Sequence, residues 1–205
     1  MGKKLMIYFI FLFFTSLAAD VHIETLKGNE IASKIEPVIQ YIDQLYREPP
    51  FLYAGNDQEY KIYLLEFSND PEAYLNLVLD NQKIVGVALG IPLSHSRDIY
   101  KHPFKDPKGI YYIGEFGLNM PYRDKGLEES LLRKLESEAK NKGYHTLVIW
   151  ELDKSPSAKS PLLPFSFWEK EGYLQHPELS FNISWTNIGE EKESEHEAIY
   201  WLKTQ

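Results

Sequence analysis

Residues 111–128 read Tyr111-Tyr112-Ile113-Gly114-Glu115-Phe116-Gly117-Leu118-Asn119-Met120-Pro121-Tyr122-Arg123-Asp124-Lys125-Gly126-Leu127-Glu128. Tyr111 to Leu118 is rich in aromatic and branched side chains and reads as a strand. Asn119 to Gly126 carries the turn residues Asn, Pro, Asp and Gly. A helix starts at once, because Leu127, Leu131, Leu132, Leu135 and Ala139 recur at helical spacing, and Gly143 supplies its stop. A strand that turns directly into a helix presents unpaired backbone N–H groups and a positive partial charge at the helix N-terminus, a site suited to a phosphate or pyrophosphate. Gly126 lets the backbone approach such a ligand without a Cβ in the way.

Working outward, Val21 to Leu26 is expected to be a strand, followed by a helical stretch with Ile31, Ile35, Val38, Ile39, Ile42 and Leu45 on one face. Pro37 should kink or divide it, and Pro49-Pro50 ends it. Asn56 and Glu59 have capping-box spacing for a second helix over 57–67. Ala73 to Leu79 and Lys83 to Ile91 form a hairpin turned at Asp80-Asn81-Gln82, and a polar loop runs from Pro92 to Gly109. Downstream, Thr146 to Trp150 is a strand, a loop holds Pro156, Pro161 and Pro164, and a short helix covers Phe165 to Lys170. Phe181 to Trp185 and Ala198 to Leu202 are two strands around an acidic loop. The order β-α-α-β-β-β-α-β-α-β-β is that of a single mixed α/β domain.

The chain has 205 residues, enough for one domain with a proper core. A formal net charge of −8 argues against nucleic acid, which needs a basic surface, and favours a cationic partner such as an amine. The absence of cysteine excludes disulfides, a thiol nucleophile and thiolate metal sites. Lys3-Lys4, the uncharged run from Leu5 to Ala19 and the small residues around Ser16-Leu17-Ala18 have the organisation of a signal peptide over residues 1–19, ahead of a domain over 20–205. The apolar run is short for a membrane span of about 20 residues. The mature chain is expected to be exported, periplasmic or secreted, with no stable membrane span; an uncleaved signal would leave it anchored or on the cytoplasmic side. Removing Lys3 and Lys4 takes the net charge from −8 to −10.

Further along, Phe167-Trp168-Glu169-Lys170-Glu171-Gly172-Tyr173 closes the short helix. Residues 111–128 resemble motif A of the GNAT superfamily of acyl-CoA-dependent N-acetyltransferases, whose turn reads Gln/Arg-x-x-Gly-x-Gly/Ala. Residues 167–173 resemble its motif B, commonly Phe-Tyr-x-Lys-x-Gly-Phe. The element order is also the family's, so the resemblance covers residues 21 to 203. It implies acetyl-CoA as donor, no metal, and a primary amine, on a small molecule or a peptide, as acceptor. Phe116 and Leu118 would pair their backbone with the pantetheine arm, as a strand added to a sheet edge. Arg123, Asp124, Lys125, Gly126, Leu127 and Glu128 would wrap the pyrophosphate. A bulge near Gly117-Leu118 would splay the strand from its neighbour, the Leu118 N–H would stabilise the oxyanion, and Trp168 would pack near the thiol end.

The amine arrives as an ammonium ion and must lose a proton before it attacks, so a carboxylate near the thioester is required, directly or through a water. Glu115, eight residues before Arg123 where many members carry an acidic residue, is the first candidate; Glu151 is the second. The alternative for Glu115 is a strand-surface carboxylate with no catalytic part. Two positions depart from the family: Glu128 stands where a turn glycine or alanine is usual, and Trp168 where a tyrosine often serves as acid, leaving Tyr173, Tyr144 or water for that role. A decayed, non-catalytic binding protein on the same fold is therefore the rival reading.

The six histidines show no metal-ligand spacing. No Gly-x-Ser-x-Gly elbow or Walker turn is present, which leaves a serine hydrolase or P-loop NTPase without support. Glu190, Glu191, Glu193, Glu195 and Glu197 are expected in a solvated loop, which the resemblance implies also lines the acceptor site for a cationic amine. Trp185, Tyr200 and Trp201 are expected in the core, with a homodimer edge as the alternative.

Overall fold

The computed structural model describes residues 21–101, 103–153 and 162–205. The signal-peptide segment and the loop prolines Pro156 and Pro161 lie outside the described residues. Strand β1 (Val21–Lys27) leads through a 3-10 turn over Gly28–Lys34 into helix α1 (Ile35–Tyr46). Pro37 therefore divides the helical stretch by falling in the first turn of α1, where its missing N–H costs no intrahelical bond. Helix α2 (Asp57–Ser68) begins as the capping residues require, with the Asn56 side chain accepting from the Gln58 and Glu59 N–H groups at 3.2 Å.

Strands β2 (Tyr74–Asp80) and β3 (Lys83–Pro92) form the expected hairpin. Its turn residues Asn81 and Gln82 both have positive φ, 48° and 74°, the signature of a two-residue turn whose twist matches the strands. The loop after β3 contains a 3-10 turn over Leu93–His95 and a short helix, α3 (Asp98–Lys101). Then come β4 (Ile110–Leu118), α4 (Leu127–Asn141), β5 (Thr146–Leu152) and α5 (Phe165–Lys170). The last two strands, β6 (Leu174–Thr186) and β7 (Glu193–Thr204), are much longer than the apolar pattern suggested. Their outer halves alternate polar residues on exposed faces, which carry no hydrophobic signal, and backbone pairing alone extends them. Glu193, Glu195 and Glu197 consequently sit on β7, and only Glu190 and Glu191 remain in the turn.

The seven strands form one sheet in the order β1-β2-β3-β4-β5-β7-β6. Every pair is antiparallel except β4 with β5, which are joined through α4. Two apolar layers cover it. One packs Val38, Ile42 and Leu45 of α1 and Leu64 and Phe67 of α2 against one face. The other packs Leu131, Leu132 and Leu135 of α4 and Phe167 and Trp168 of α5 against the opposite face. Central strands covered on both sides explain why β2 and β3 read as continuous apolar runs. Trp185, Tyr200 and Trp201 are buried within this single chain, as core. Among the described residues, no helix is long and apolar enough to cross a membrane.

Candidate active site

Two irregularities of β4 build the site. The first is the parting of β4 from β5: the two strands pair only from Ile110–Thr146 to Tyr112–Val148, and beyond Tyr112 they diverge. The second is a bulge. Along the β3 edge, Ile113 faces Gly90 and Glu115 faces Leu89, so Gly114 is an extra residue on β4. The expected bulge at Gly117-Leu118 is thus displaced to Gly114. Gly117 stays in register opposite Val87, and its missing side chain serves packing, since a Cβ there would lie 2.7 Å from Leu45 Cδ1.

The bulge decides where Glu115 points. Ile113 belongs to the α4 layer, and strict alternation would send Glu115 to that layer too. One extra residue reverses the phase, and Glu115 faces α1 and α2 instead. There it is 5% exposed and accepts a 2.5 Å hydrogen bond from the Tyr46 hydroxyl. Burial raises its carboxyl to about 8, against the opposing pull of hydrogen bonds from Tyr46 and Tyr63. Glu115 is accordingly no surface carboxylate.

Glu115 opens on a cavity of about 440 Å³ over the fork between the strands, with Tyr112 and Gly114 of β4 and Trp150 of β5 along its lining. Tyr46, Tyr60 and Tyr63 enter from α1 and α2, Tyr100 from α3, Phe51 and Tyr53 from the loop between the helices, and Trp185 from β6. None of these rings stood out in the sequence as part of a site, because aromatic residues spread over separate elements carry no local pattern. Of the five glutamates expected near an acceptor, Glu193 alone is in the lining.

On the other side of β4, the register sorts the backbone groups. The Asn119 N–H donates to Val85 O at 2.8 Å, which makes that pair and, by alternation, Gly117 with Val87 the hydrogen-bonded ones. Phe116 and Leu118 therefore aim their N–H and C=O groups away from β3, into the fork. The Leu118 carbonyl accepts from Arg123 Nε at 3.0 Å, so the arginine closes the end of the opening.

Asp124 and Gly126 both have positive φ, 57° and 76°, and with Lys125 they form an exposed turn ahead of α4. Lys125 folds back onto Pro121 O at 2.7 Å and over the Tyr122 ring. Glu128 is 6% exposed, and its Oε1 accepts the Asp124 N–H at 2.9 Å. Its carboxylate thus takes up a donor of the very turn expected to hold an anion. Its other oxygen and Arg123 Nη2 are both buried without a hydrogen-bond partner; the guanidinium nitrogen is spare donor capacity for an anion, whereas the carboxylate oxygen is an acceptor that opposes one. Leu127 is half-buried at the first position of α4.

Trp168 is fully buried, edge-on to the Phe116 ring at 5.2 Å, so it supports β4 on the α4 side of the sheet, away from the aromatic cavity. Its Nε1 donates to Glu151 at 3.2 Å, and burial raises the Glu151 carboxyl to about 8. Tyr173 donates to Glu136 and Tyr144 to Glu72, both away from the cavity and already engaged. Among the described residues, no group of His, Asp and Glu side chains could hold a metal ion.

The acetyltransferase (GNAT) family model matches residues 39–160, and the chain belongs to this family. No curated protein matches it significantly in sequence. In fold it is similar to an N-acetyltransferase from Staphylococcus aureus Mu50, at 16% identity and a TM-score of 0.60 over 91% of this chain and 99% of that one. A ribosomal-protein-alanine N-acetyltransferase from Brucella melitensis shares 14% identity with a TM-score of 0.61, over 90% of this chain and 99% of its own. Arabidopsis thaliana NAA60, solved in complex with a bisubstrate analogue, shares 12% with a TM-score of 0.57, over 89% and 98%. At such identities the likeness is one of fold.

Proposed function

We propose that the protein transfers an acetyl group from acetyl-CoA to a primary amine by direct attack. The observation that carries this reading is Glu115: a buried carboxyl raised to about 8, placed by a bulge at the fork of β4 and β5 and open to a cavity. A base with that value can take a proton from an ammonium ion near neutral pH. The thioester supplies an acyl carbon that the neutral amine attacks, so that a C–N bond forms and the C–S bond breaks. One of the two protons lost by the ammonium goes to Glu115 and the other leaves with the sulfur as the thiol. The Leu118 N–H, aimed into the fork, stabilises the oxygen of the reacting carbonyl. Phe116 offers its fork-facing backbone groups to the pantetheine arm beside Leu118, whose carbonyl Arg123 already holds, and Arg123 to Glu128 offer the pyrophosphate a helix N-terminus and a cation. Release of coenzyme A from acetyl-CoA, screened over a panel of amines, tests the reading directly; no release with any amine would overturn it.

One observation favours a second reading, a non-catalytic binding protein on the same fold: Glu128 already holds the Asp124 N–H. Melting with and without acetyl-CoA separates the two. Ligand at a hundred times Kd stabilises a protein that binds it by about 2.7 kcal/mol, and the absence of any shift favours the second reading. We also propose that residues 1–19 direct export of the domain over 20–205, which the mass of the mature chain tests.

A further inference from the structure

We infer that the cavity above Glu115 takes a small monoammonium ion with a flat or apolar body, and neither a polyamine nor a peptide chain. This rests on the acetyl-transfer reading and names the acceptor class for the same site. The argument starts from the rings. Tyr60 and Tyr53 meet edge to face at 5.6 Å, Phe51 stacks on Trp185 at 5.8 Å, and Tyr100 stacks on Trp150 at 6.4 Å. Such a lining buries an apolar body, and any ring face left toward the cavity carries negative potential that attracts a desolvated cation.

Charge points the same way. Glu115 is the buried carboxyl of the cavity, and Glu59 and Glu193 stand exposed at its rim. Arg97 is the one cation among the described lining residues. Its guanidinium is engaged by both oxygens of Glu66, at 2.8 and 3.1 Å, so it sets little free positive charge against an ammonium. One buried carboxyl matches one ammonium head. A polyamine would have to leave its further charges against ring faces or in the screened rim, where ion pairs are worth little.

One wall of the cavity is shut against an extended peptide. The segment after α1 is stitched to the end of β6: Ala54 N–H donates to Thr186 O at 3.1 Å, Ile188 N–H to Leu52 O at 2.6 Å, and the Trp185 indole N–H to Phe51 O at 3.0 Å. These bonds join two elements that line one side of the cavity, so an extended chain cannot pass between them. That side of the cavity is closed, and its 440 Å³ suit a compact molecule.

Tryptophan fluorescence reports on the cavity through Trp150 and Trp185. The full-length domain is titrated, with and without acetyl-CoA, with phenethylammonium chloride, its neutral counterpart 2-phenylethanol, spermidine and an unblocked pentapeptide. Saturable binding of phenethylammonium at least tenfold tighter than each of the others is expected, weakened about tenfold in Tyr60→Leu and kept in Tyr60→Phe. Equal affinity for the alcohol, or tighter binding of spermidine or the peptide, overturns the inference. Coenzyme A release with other amines, without phenethylammonium binding, overturns it and leaves acetyl transfer standing. Phenethylammonium binding without coenzyme A release from any amine sustains the inference and removes the acetyl-transfer reading.

Discussion

The Tyr46 hydroxyl donates to the Glu115 carboxylate at 2.5 Å, tying the last residue of α1 to the bulge of β4 across 69 positions of sequence. The bond stabilises the ionised carboxylate that the buried setting opposes. Glu115 is thereby held between two effects, with the balance near neutral pH.

Turnover should follow that balance. The rate is expected to rise with pH and level off above about 8, as Glu115 loses its proton. Glu115→Gln should remove this limb and lower kcat by about 10² to 10⁴, with acetyl-CoA binding intact in a melting experiment. Full activity in this variant would take the base assignment away.

Tyr46→Phe removes a donor to the ionised form, so the Glu115 carboxyl should move further up. The pH–rate limb is expected to shift alkaline by about one unit, with roughly a tenfold loss of rate at pH 7. An unshifted limb would mean that Tyr46 does not set the basicity of the site.

Glu128→Ala frees the Asp124 N–H and removes a negative charge beside Arg123. Coenzyme A should then bind about tenfold tighter, and the gain should shrink as salt is added. Calorimetric titration at two ionic strengths reads both. Weaker binding would show that Glu128 shapes the turn for the ligand instead of competing with it.

Stability should run opposite to activity. Glu115 and Glu151 each have a value near 8 in the folded chain, well above the ordinary carboxyl value of 4.5. A carboxyl whose value is raised by folding contributes stability that is complete below about 4.5 and is lost as pH climbs through about 8. Denaturant midpoints are therefore expected to fall from pH 5 to pH 9. Glu151→Gln keeps an acceptor for Trp168 without the charge and should raise Tm at pH 9 by roughly 3–6 °C.

Gly114→Ala tests the bulge. The added Cβ would meet the Tyr63 hydroxyl and lie 2.9 Å from Phe67 Cζ. Overpacking of this kind costs about 1–3 kcal/mol, and it would push Tyr63 from its place beside Glu115. A lower denaturant midpoint together with an altered pH–rate limb is expected.

Much of the fold was legible in short stretches of sequence because its signals are local. The Asn56 cap, the Asp80-Asn81-Gln82 turn, the Gly143 stop and the leucine spacing of α4 each act within a few residues, and each lies where its chemistry requires. The ends of β6 and β7 were not legible, because exposed strand pairing leaves no apolar trace. The same distinction divides the site. The turn holding Arg123 and Gly126 could be named because strand, turn and helix follow one another directly, while Glu115 and the rest of the turn to Glu128 were reached through the resemblance to motif A.

By itself, then, the sequence determined a mixed α/β chain with a central strand-turn-helix, an acidic balance and no thiol. Only the tertiary structure decided which way Glu115 faces, because one unpaired residue, Gly114, reverses the side-chain alternation of β4 and moves the carboxyl from the α4 layer to the α1–α2 layer. It also decided what Glu115 faces. A ring from α1, two from α2, one from α3 and others from β4, β5, β6 and a loop converge on one cavity, and such convergence depends on distances between elements that no local spacing encodes.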